Sequence, residues 1–259
     1  MSIDLSSYRG TEREQARTQD LLDLTPSHGG SVLDVGARDG YLSRLLAARF
    51  DQVVALDLEK PEIVHPRIEP VKGDATALEF EDNKFDTVVC SEVLEHIPVP
   101  SLQRACREIG RVAKRTVVIG VPYKQDIRCG RSTCRACGKP NPPWGHVNSF
   151  DELRLQELFR DFSVAKLSYV GTNPDWTNSL STVLLDFAGN PYGTYEQDEL
   201  CVHCGDSIGP PTERKLIQKL ATKAAYLLNR AQRPFTNVRA QWVHVRFEKS
   251  SANYALPAF

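Results

Sequence analysis

The run Val32-Leu33-Asp34-Val35-Gly36-Ala37-Arg38-Asp39-Gly40 constrains the fold more than any other stretch of the chain. An apolar strand ends there in Asp-x-Gly-x-x-x-Gly, and Tyr41, Leu42, Leu45 and Leu46 then mark the buried stripe of a helix, so the hydrophobic period switches from strand to helix across one turn. Glycines at 36 and 40 let the backbone come closer to a ligand than a Cβ would allow.

Around this turn the first half of the chain alternates between the two periods. A polar stretch from Thr11 to Leu24 reads as a leading helix and Ser31 to Val35 as the first strand. Gln52 to Asp57 is the second strand, Ile68 to Lys72 a weak third, Phe85 to Cys90 a strong fourth and Thr116 to Val121 a fifth, with Leu102 to Val112 helical. That order predicts an α/β fold with a parallel, doubly wound sheet. Further on, Phe150 to Arg160 reads as a helix, Val164 to Val170 as a strand, Glu213 to Arg230 as a helix with Leu216, Leu220, Leu227 and Leu228, and Gln241 to Phe247 as a last, half-exposed strand.

The expected organisation is one domain over 1–259, interrupted by inserted loops at 122–147 and 172–211. Its 259 residues are 41% hydrophobic and 25% charged, enough for one sizeable core. With 32 Lys and Arg against 33 Asp and Glu, net charge -1, no whole-molecule field draws the protein to nucleic acid or to a membrane. The opening residues Met1 to Leu5 carry no basic or apolar leader and no window approaches a membrane span, so the expectation is a soluble, cytoplasmic protein. Oligomeric state is not legible.

Three acidic positions qualify the glycine turn. Asp34 precedes it. Asp57 ends the second strand 21 residues after Gly36, where a carboxylate can accept hydrogen bonds from both hydroxyls of a ribose. Asp74, in Gly73-Asp74-Ala75, follows the third strand, where it can accept from an adenine amino group. A nicotinamide enzyme of this general fold would carry Gly-x-Gly-x-x-Gly, which is absent. With the run Phe85 to Pro98 as a fourth motif, the stretch from Val32 to about Phe162 resembles class I S-adenosylmethionine-dependent methyltransferases. The resemblance implies a Rossmann-like, seven-stranded, mostly parallel sheet, S-adenosylmethionine as cofactor, and a cofactor site of Asp34, Gly36, Ala37, Gly40, Asp57, Leu58, Asp74, Ala75 and Ser91. Arg38 departs from the family, many members of which carry glycine there; this puts the loop geometry in question.

Methyl transfer to a hydroxyl needs removal of a proton, by a general base or by a metal ion that lowers the hydroxyl's pKa. Glu92, Glu95 and His96 follow the fourth strand and, if helical, share one face; His146 comes later, in Gly145-His146-Val147-Asn148-Ser149-Phe150. Glu92-x-x-Glu95-His96 resembles the motif of ubiquinone-pathway O-methyltransferases and of small-RNA 3′-end 2′-O-methyltransferases. In the RNA enzymes a later histidine completes a magnesium site, and His146 matches that place. Three readings stand side by side: a Mg2+ site of Glu92, Glu95, His96 and His146; His96 or His146 as general base; or a cap and hydrogen-bonding pair that holds no metal.

Seven cysteines include two copies of one turn, Cys134-Arg135-Ala136-Cys137-Gly138 and Cys201-Val202-His203-Cys204-Gly205. Four thiolates suit a closed, tetrahedral, structural zinc site, although the 63 intervening residues exceed zinc-ribbon spacing. Cys129 with Cys134, Cys137 and His146 or His203 is the alternative shell, and Cys90 and Cys106 read as inert buried side chains. A zinc-pinned insertion would make a substrate lid, with Trp144 and Trp176 available to stack a sugar or base. The leading functional expectation is O-methylation of a small-molecule or carbohydrate hydroxyl. RNA methylation is the alternative, on the strength of the metal-like quartet Glu92, Glu95, His96 and His146 and of the basic residues Arg214, Lys215, Lys219, Lys223, Arg230, Arg233, Arg239 and Arg246. An inactive interaction module is the third reading.

Overall fold

The computed structural model describes residues 9–210 and 213–249. The opening stretch Met1 to Leu5 and Pro211, the end of the second expected insertion, lie outside the described residues. The chain divides into two compact units. The first holds the residues up to Tyr123, Phe150–Gly171 and those from Ala240 onward; the second holds Lys124–Ser149 and Thr172–Arg239.

The first unit contains helices α1 (Glu12–Leu24), α2 (Tyr41–Leu46), α3 (Val99–Val112) and α4 (Glu152–Leu158). Its strands are β1 (Gly29–Val35), β2 (Phe50–Asp57), β3 (Ile68–Lys72), β4 (Phe85–Ser91), β5 (Ala113–Pro122), β6 (Phe162–Val170) and β7 (Trp242–Lys249). They form one seven-stranded sheet in the order β3-β2-β1-β4-β5-β7-β6. β1 to β5 pair in parallel and β7 runs antiparallel to both its neighbours. This is the mostly parallel, Rossmann-like sheet that the first half of the sequence implies.

Alternation along each strand sorts side chains onto two faces. Leu33, Val35, Val88, Cys90, Val117 and Ile119 enter one buried cluster, which α3 closes with Leu102, Ala105, Cys106, Ile109 and Val112 at helical spacing. Val32, Val53, Ala55, Val89 and Val118 enter a second, closed by Leu21, Leu22 and Leu24 of α1 and Leu46 of α2. Central parallel strands covered on both faces have to be apolar nearly throughout, as Val-Val-Cys and Val-Val-Ile are. Thr11 starts α1 by accepting the Glu14 amide on its hydroxyl, and Asp151 starts α4 by accepting that of Arg154 at 2.9 Å.

Two expectations change here. In α2 the fully buried positions are Ser43 and Leu46, with Tyr41, Leu42 and Leu45 half-buried. β7 is an interior strand between β5 and β6 and not half-exposed. Two of its polar members, Trp242 and His244, find partners elsewhere in the first unit. His244, with no exposure, meets Asp20 Oδ2 through Nδ1 at 2.6 Å, and Asp20 also accepts from Ser168 Oγ.

The second unit has a two-stranded hairpin, Ser132–Thr133 with Pro140–Asn141, and helices α5 (Ser179–Phe187) and α6 (Leu216–Gln232) packed on each other. α6 starts at Leu216 and not Glu213, and Leu216, Leu220 and Leu227 face outward, while Ala221, Thr222 and Ala225 are buried. Both segments of this unit are spliced into connections at the carboxyl edge of the sheet, β5 to α4 and β6 to β7.

Candidate functional site

At the carboxyl end of β1 the chain reverses as the Gly36 and Ala37 amides donate to the Leu56 carbonyl and the Gly40 amide to that of Ala37. Gly36 and Gly40 take φ of 80° and 74°. A Cβ on Gly36 would lie 2.2 Å from Val93 Cγ2, and one on Gly40 2.3 Å from Ile63 Cδ1. Both the backbone conformation and the packing therefore demand glycine. Arg38 also stands in the left-handed region, at φ 49°. The turn therefore carries strain in one arginine, at the position where the resembled family often has glycine.

Asp57, at the end of β2, accepts the Arg38 amide on Oδ2 at 2.8 Å and the Leu58 amide on Oδ1 at 2.7 Å. The carboxylate is thus aimed by two amides beside the turn, and its remaining lone pairs can take a diol. Asp74 is set in the same way, its Oδ1 accepting the Thr76 amide at 2.7 Å. Asp34 is buried and accepts from Ser43 Oγ at 2.6 Å; burial raises its carboxyl to about 6. Ala37 and Ala75 are buried, and Leu58 is exposed. Ser91 Oγ accepts from Arg17 Nη1 at 2.9 Å.

Glu92 to His96 form a turn and not a helix, because Glu92 itself takes φ 57°. The three side chains consequently do not share a helical face. Glu92 Oε2 accepts from the Trp242 indole at 3.1 Å, and Arg17 is its nearby cation. Glu95 and His96 do come together, with donor atoms within 4.8 Å of each other. Neither oxygen of Glu95 has a hydrogen-bond partner among the described residues; burial and then the Glu92 charge push this carboxyl well above its ordinary range. Burial and then Arg38 lower His96 to about 4, so its ring is neutral at neutral pH and able to accept a proton. His146 belongs to the second unit, where Nδ1 meets Gln125 Oε1 at 2.6 Å.

Sequence reading missed Arg17 and Trp242. Arg17 bonds Glu14 through Nε at 2.8 Å and Nη2 at 2.6 Å as well as Ser91. The Glu-x-x-Arg spacing in α1 is its only sequence signal, and the same spacing is common on solvated helices. Nothing in the sequence ties Trp242 to Glu92, 150 positions away.

In the second unit the first Cys-x-x-Cys is the loop of the short hairpin and the second lies beside it, held by the Val202 amide on Asn141 Oδ1 at 2.8 Å. The two turns repeat bond for bond. The Gly138 amide donates to Cys134 O and Gly205 to Cys201 O, while Cys134 and Cys201 donate to Lys139 and Asp206 carbonyls. Gly138 and Gly205 have φ of 70° and 72° with nothing near a hypothetical Cβ, so conformation alone requires glycine at these two places.

All four Sγ atoms lie within 4.8 Å of one another, with Cys134 to Cys204 and Cys137 to Cys201 both 3.7 Å. Four sulfurs about 2.3 Å from a zinc ion form a tetrahedron with edges of about 3.8 Å. The residues therefore fit that ion. Amides of Cys137 and Ala136 lower the Cys134 thiol to about 7. The alternative shell does not form. Cys129 stands among Asp126, Asp175 and Arg239, its thiol raised to about 12 chiefly by burial, and His203 Nε2 meets the Pro140 carbonyl. Cys90 and Cys106 are buried in the core of the first unit. Trp144 is exposed, and Trp176 is half-buried beneath the Arg239 guanidinium at 4.0 Å.

Residues 33–119 match the family model of the methyltransferase domain. The ubiquinone biosynthesis O-methyltransferase of Xanthomonas euvesicatoria is 40% identical over 93 residues, covering 31% of this chain and 38% of the relative. That of Chromobacterium violaceum is 37% identical over 99 residues, 34% of this chain and 43% of its own. The match spans less than half the length of these relatives. Among solved structures, a protein of Bacillus halodurans superposes with TM-score 0.58 at 15% identity, covering 90% of this chain and 99% of its own. The N-methyltransferase NodS of Bradyrhizobium japonicum, solved with S-adenosyl-L-homocysteine, gives 0.52 at 13% identity over 95% and 91%. At these identities the structural likeness is one of fold. The chain is thus like class I S-adenosylmethionine-dependent methyltransferases, in sequence over this stretch and in the fold of its central sheet.

Proposed function

We propose that this chain is an S-adenosylmethionine-dependent O-methyltransferase acting on a hydroxyl of a small molecule or glycan, with a structural zinc ion in its second unit. The observation that carries the reading is Asp57, aimed by the Arg38 and Leu58 amides beside the Gly36 to Gly40 turn. In this reading Asp57 receives the ribose hydroxyls, Asp74 the adenine amino group, and the backbone around Gly36 lies against the cofactor. When bound, S-adenosylmethionine supplies an electrophilic methyl group on sulfur. His96, kept neutral by burial, would take the hydroxyl proton while the methyl carbon exchanged its bond to the cofactor sulfur for one to the acceptor oxygen. Burial and the Glu92 charge favour the protonated form of Glu95 beside it.

The name of the curated relatives supports an oxygen acceptor, and the Cys134, Cys137, Cys201 and Cys204 tetrahedron supports zinc.

Titration calorimetry with S-adenosylmethionine tests the cofactor assignment. The native chain is expected to bind, and Asp57→Ala to weaken binding roughly 10- to 100-fold through loss of two charged hydrogen bonds. No heat with the native chain, or an unchanged affinity in the variant, overturns it. A panel of phenolic and sugar acceptors with labelled cofactor then identifies the hydroxyl, with His96→Asn expected to lower turnover and leave cofactor affinity intact.

A further inference from the structure

The helical hairpin of the second unit is built inside out. Where α5 meets α6 the contact is polar and small. Ser181 Oγ donates to Asn229 Oδ1 at 2.6 Å, Thr177 and Asn178 reach the same amide, and Ala221 and Ala225 are buried. Large apolar side chains point the other way. On α5, Leu180, Val183 and Phe187 are exposed at i, i+3, i+7. On α6, Leu216, Leu220 and Leu227 are 74%, 56% and 58% exposed at i, i+4, i+11. A water-facing helix normally shows the reverse arrangement.

Charge accompanies this stripe. Lys219, Lys223 and Arg230 repeat the same i, i+4, i+11 spacing three residues further along, which places them on the neighbouring face of the helix. All three are exposed, and α6 contains no acidic residue from Leu216 to Gln232. The near-neutral net charge of the chain conceals a helix of one sign. The absence of a spanning helix, which holds among the described residues, leaves surface attachment open.

We infer that the outer face of α6 is a docking surface for an anionic lipid bilayer, with Leu216, Leu220 and Leu227 seated among the acyl chains and Lys219, Lys223 and Arg230 among the headgroups. A helix lying in the interface needs both an apolar stripe and a cationic border, side by side, and α6 has both. A polynucleotide would use the cations and leave three leucines in water. A second copy packed antiparallel about a two-fold axis would bring the cationic stripes against each other. Attachment to a bilayer is independent of methyl transfer and is measured without it.

Sedimentation of the full chain with vesicles is the test. The native protein is expected to pellet with phosphatidylcholine vesicles containing phosphatidylglycerol and to stay in solution with phosphatidylcholine alone, less being bound as salt rises. Lys219→Ala with Lys223→Ala is expected to lower the partition coefficient roughly 30-fold, at about 1 kcal/mol per basic residue. Leu220→Asp with Leu227→Asp is expected to abolish pelleting. Both pairs are exposed, and an unchanged thermal transition shows that the variants are folded. Failure of the native chain to pellet with anionic vesicles overturns the inference, as does equal pelleting of native and variant chains. So does a dimer in solution that Leu220→Asp dissociates, or salt-sensitive RNA binding without vesicle binding.

Discussion

Arg38 takes the left-handed conformation that glycine adopts freely, and does so with its amide fixed on Asp57 and its charge near His96. Arg38→Gly should raise unfolding stability in urea by about 0.5 to 1 kcal/mol, as relief of αL strain outweighs the added freedom of the unfolded chain. Proton NMR of the same variant should show His96 titrating above about 4, since one of the two causes of its depression is gone. Asp34 carries a cost of a different kind. Its folded-state carboxyl sits at about 6 against an ordinary 3.8, so the native state holds the proton more tightly and the associated stability, complete below about 4, is lost as pH rises through 6. Asp34→Asn removes that loss. Relative to the native chain, its stability should grow between pH 4 and 7 by about 2 to 3 kcal/mol, measured by denaturant titration at each pH. A difference that does not vary with pH would mean that burial of the charge is not what Asp34 contributes.

Helix ends and strand neighbours decide stability at the next scale. Asn178 caps α5 by accepting the Ser181 amide at 2.9 Å, and its own amide group donates to Gln232 and Asn229 of α6. Asn178→Ala should therefore destabilise the hairpin by about 1 to 2 kcal/mol. Hydrogen exchange in α5 and α6 should speed up together, whereas acceleration confined to the first turn of α5 would show that the two helices are not joined through this side chain. β7 illustrates what alternation conceals. Trp242, His244 and Arg246 read as a solvent face, yet Trp242 donates to Glu92 and His244 to Asp20 in the interior. A polar residue satisfied by a partner 224 or 150 positions away has the same local pattern as one satisfied by water. α6 shows the converse, since its leucines have the spacing of a buried stripe and face outward.

For the whole molecule the four clustered cysteines matter as the proposed zinc staple of the second unit. That unit otherwise owes its order to two helices, a two-residue-strand hairpin and irregular chain, and metal binding is coupled to folding in such modules. Cys134→Ser, or a strong chelator, should remove bound zinc measured by metal analysis and expose the amides of Gly138 and Gly205 to exchange. Amides of β1, β4 and β5 should stay protected by the core of the first unit. Retention of zinc in Cys134→Ser would mean that another set of ligands holds the ion.

What the sequence by itself determined was the local chemistry. The five strands β1 to β5 follow from runs of apolar residues, with helical stripes after the first and the fourth. The turn at Gly36 and Gly40, the acidic residues at the ends of β1 and β2, and the two repeated cysteine turns follow from residue types at fixed short spacing. These features depend on backbone conformation and on neighbours within a few positions, so sequence order suffices to read them. Only the tertiary structure decided which distant groups meet: Arg17 with Ser91, Trp242 with Glu92, the Cys134 pair with the Cys201 pair, and the exclusion of Cys129 from that shell. It also decided that Glu92 turns out of helical register and that the leucines of α6 face outward. Burial and partner choice are set by packing between elements far apart in the chain, and no local spacing encodes them.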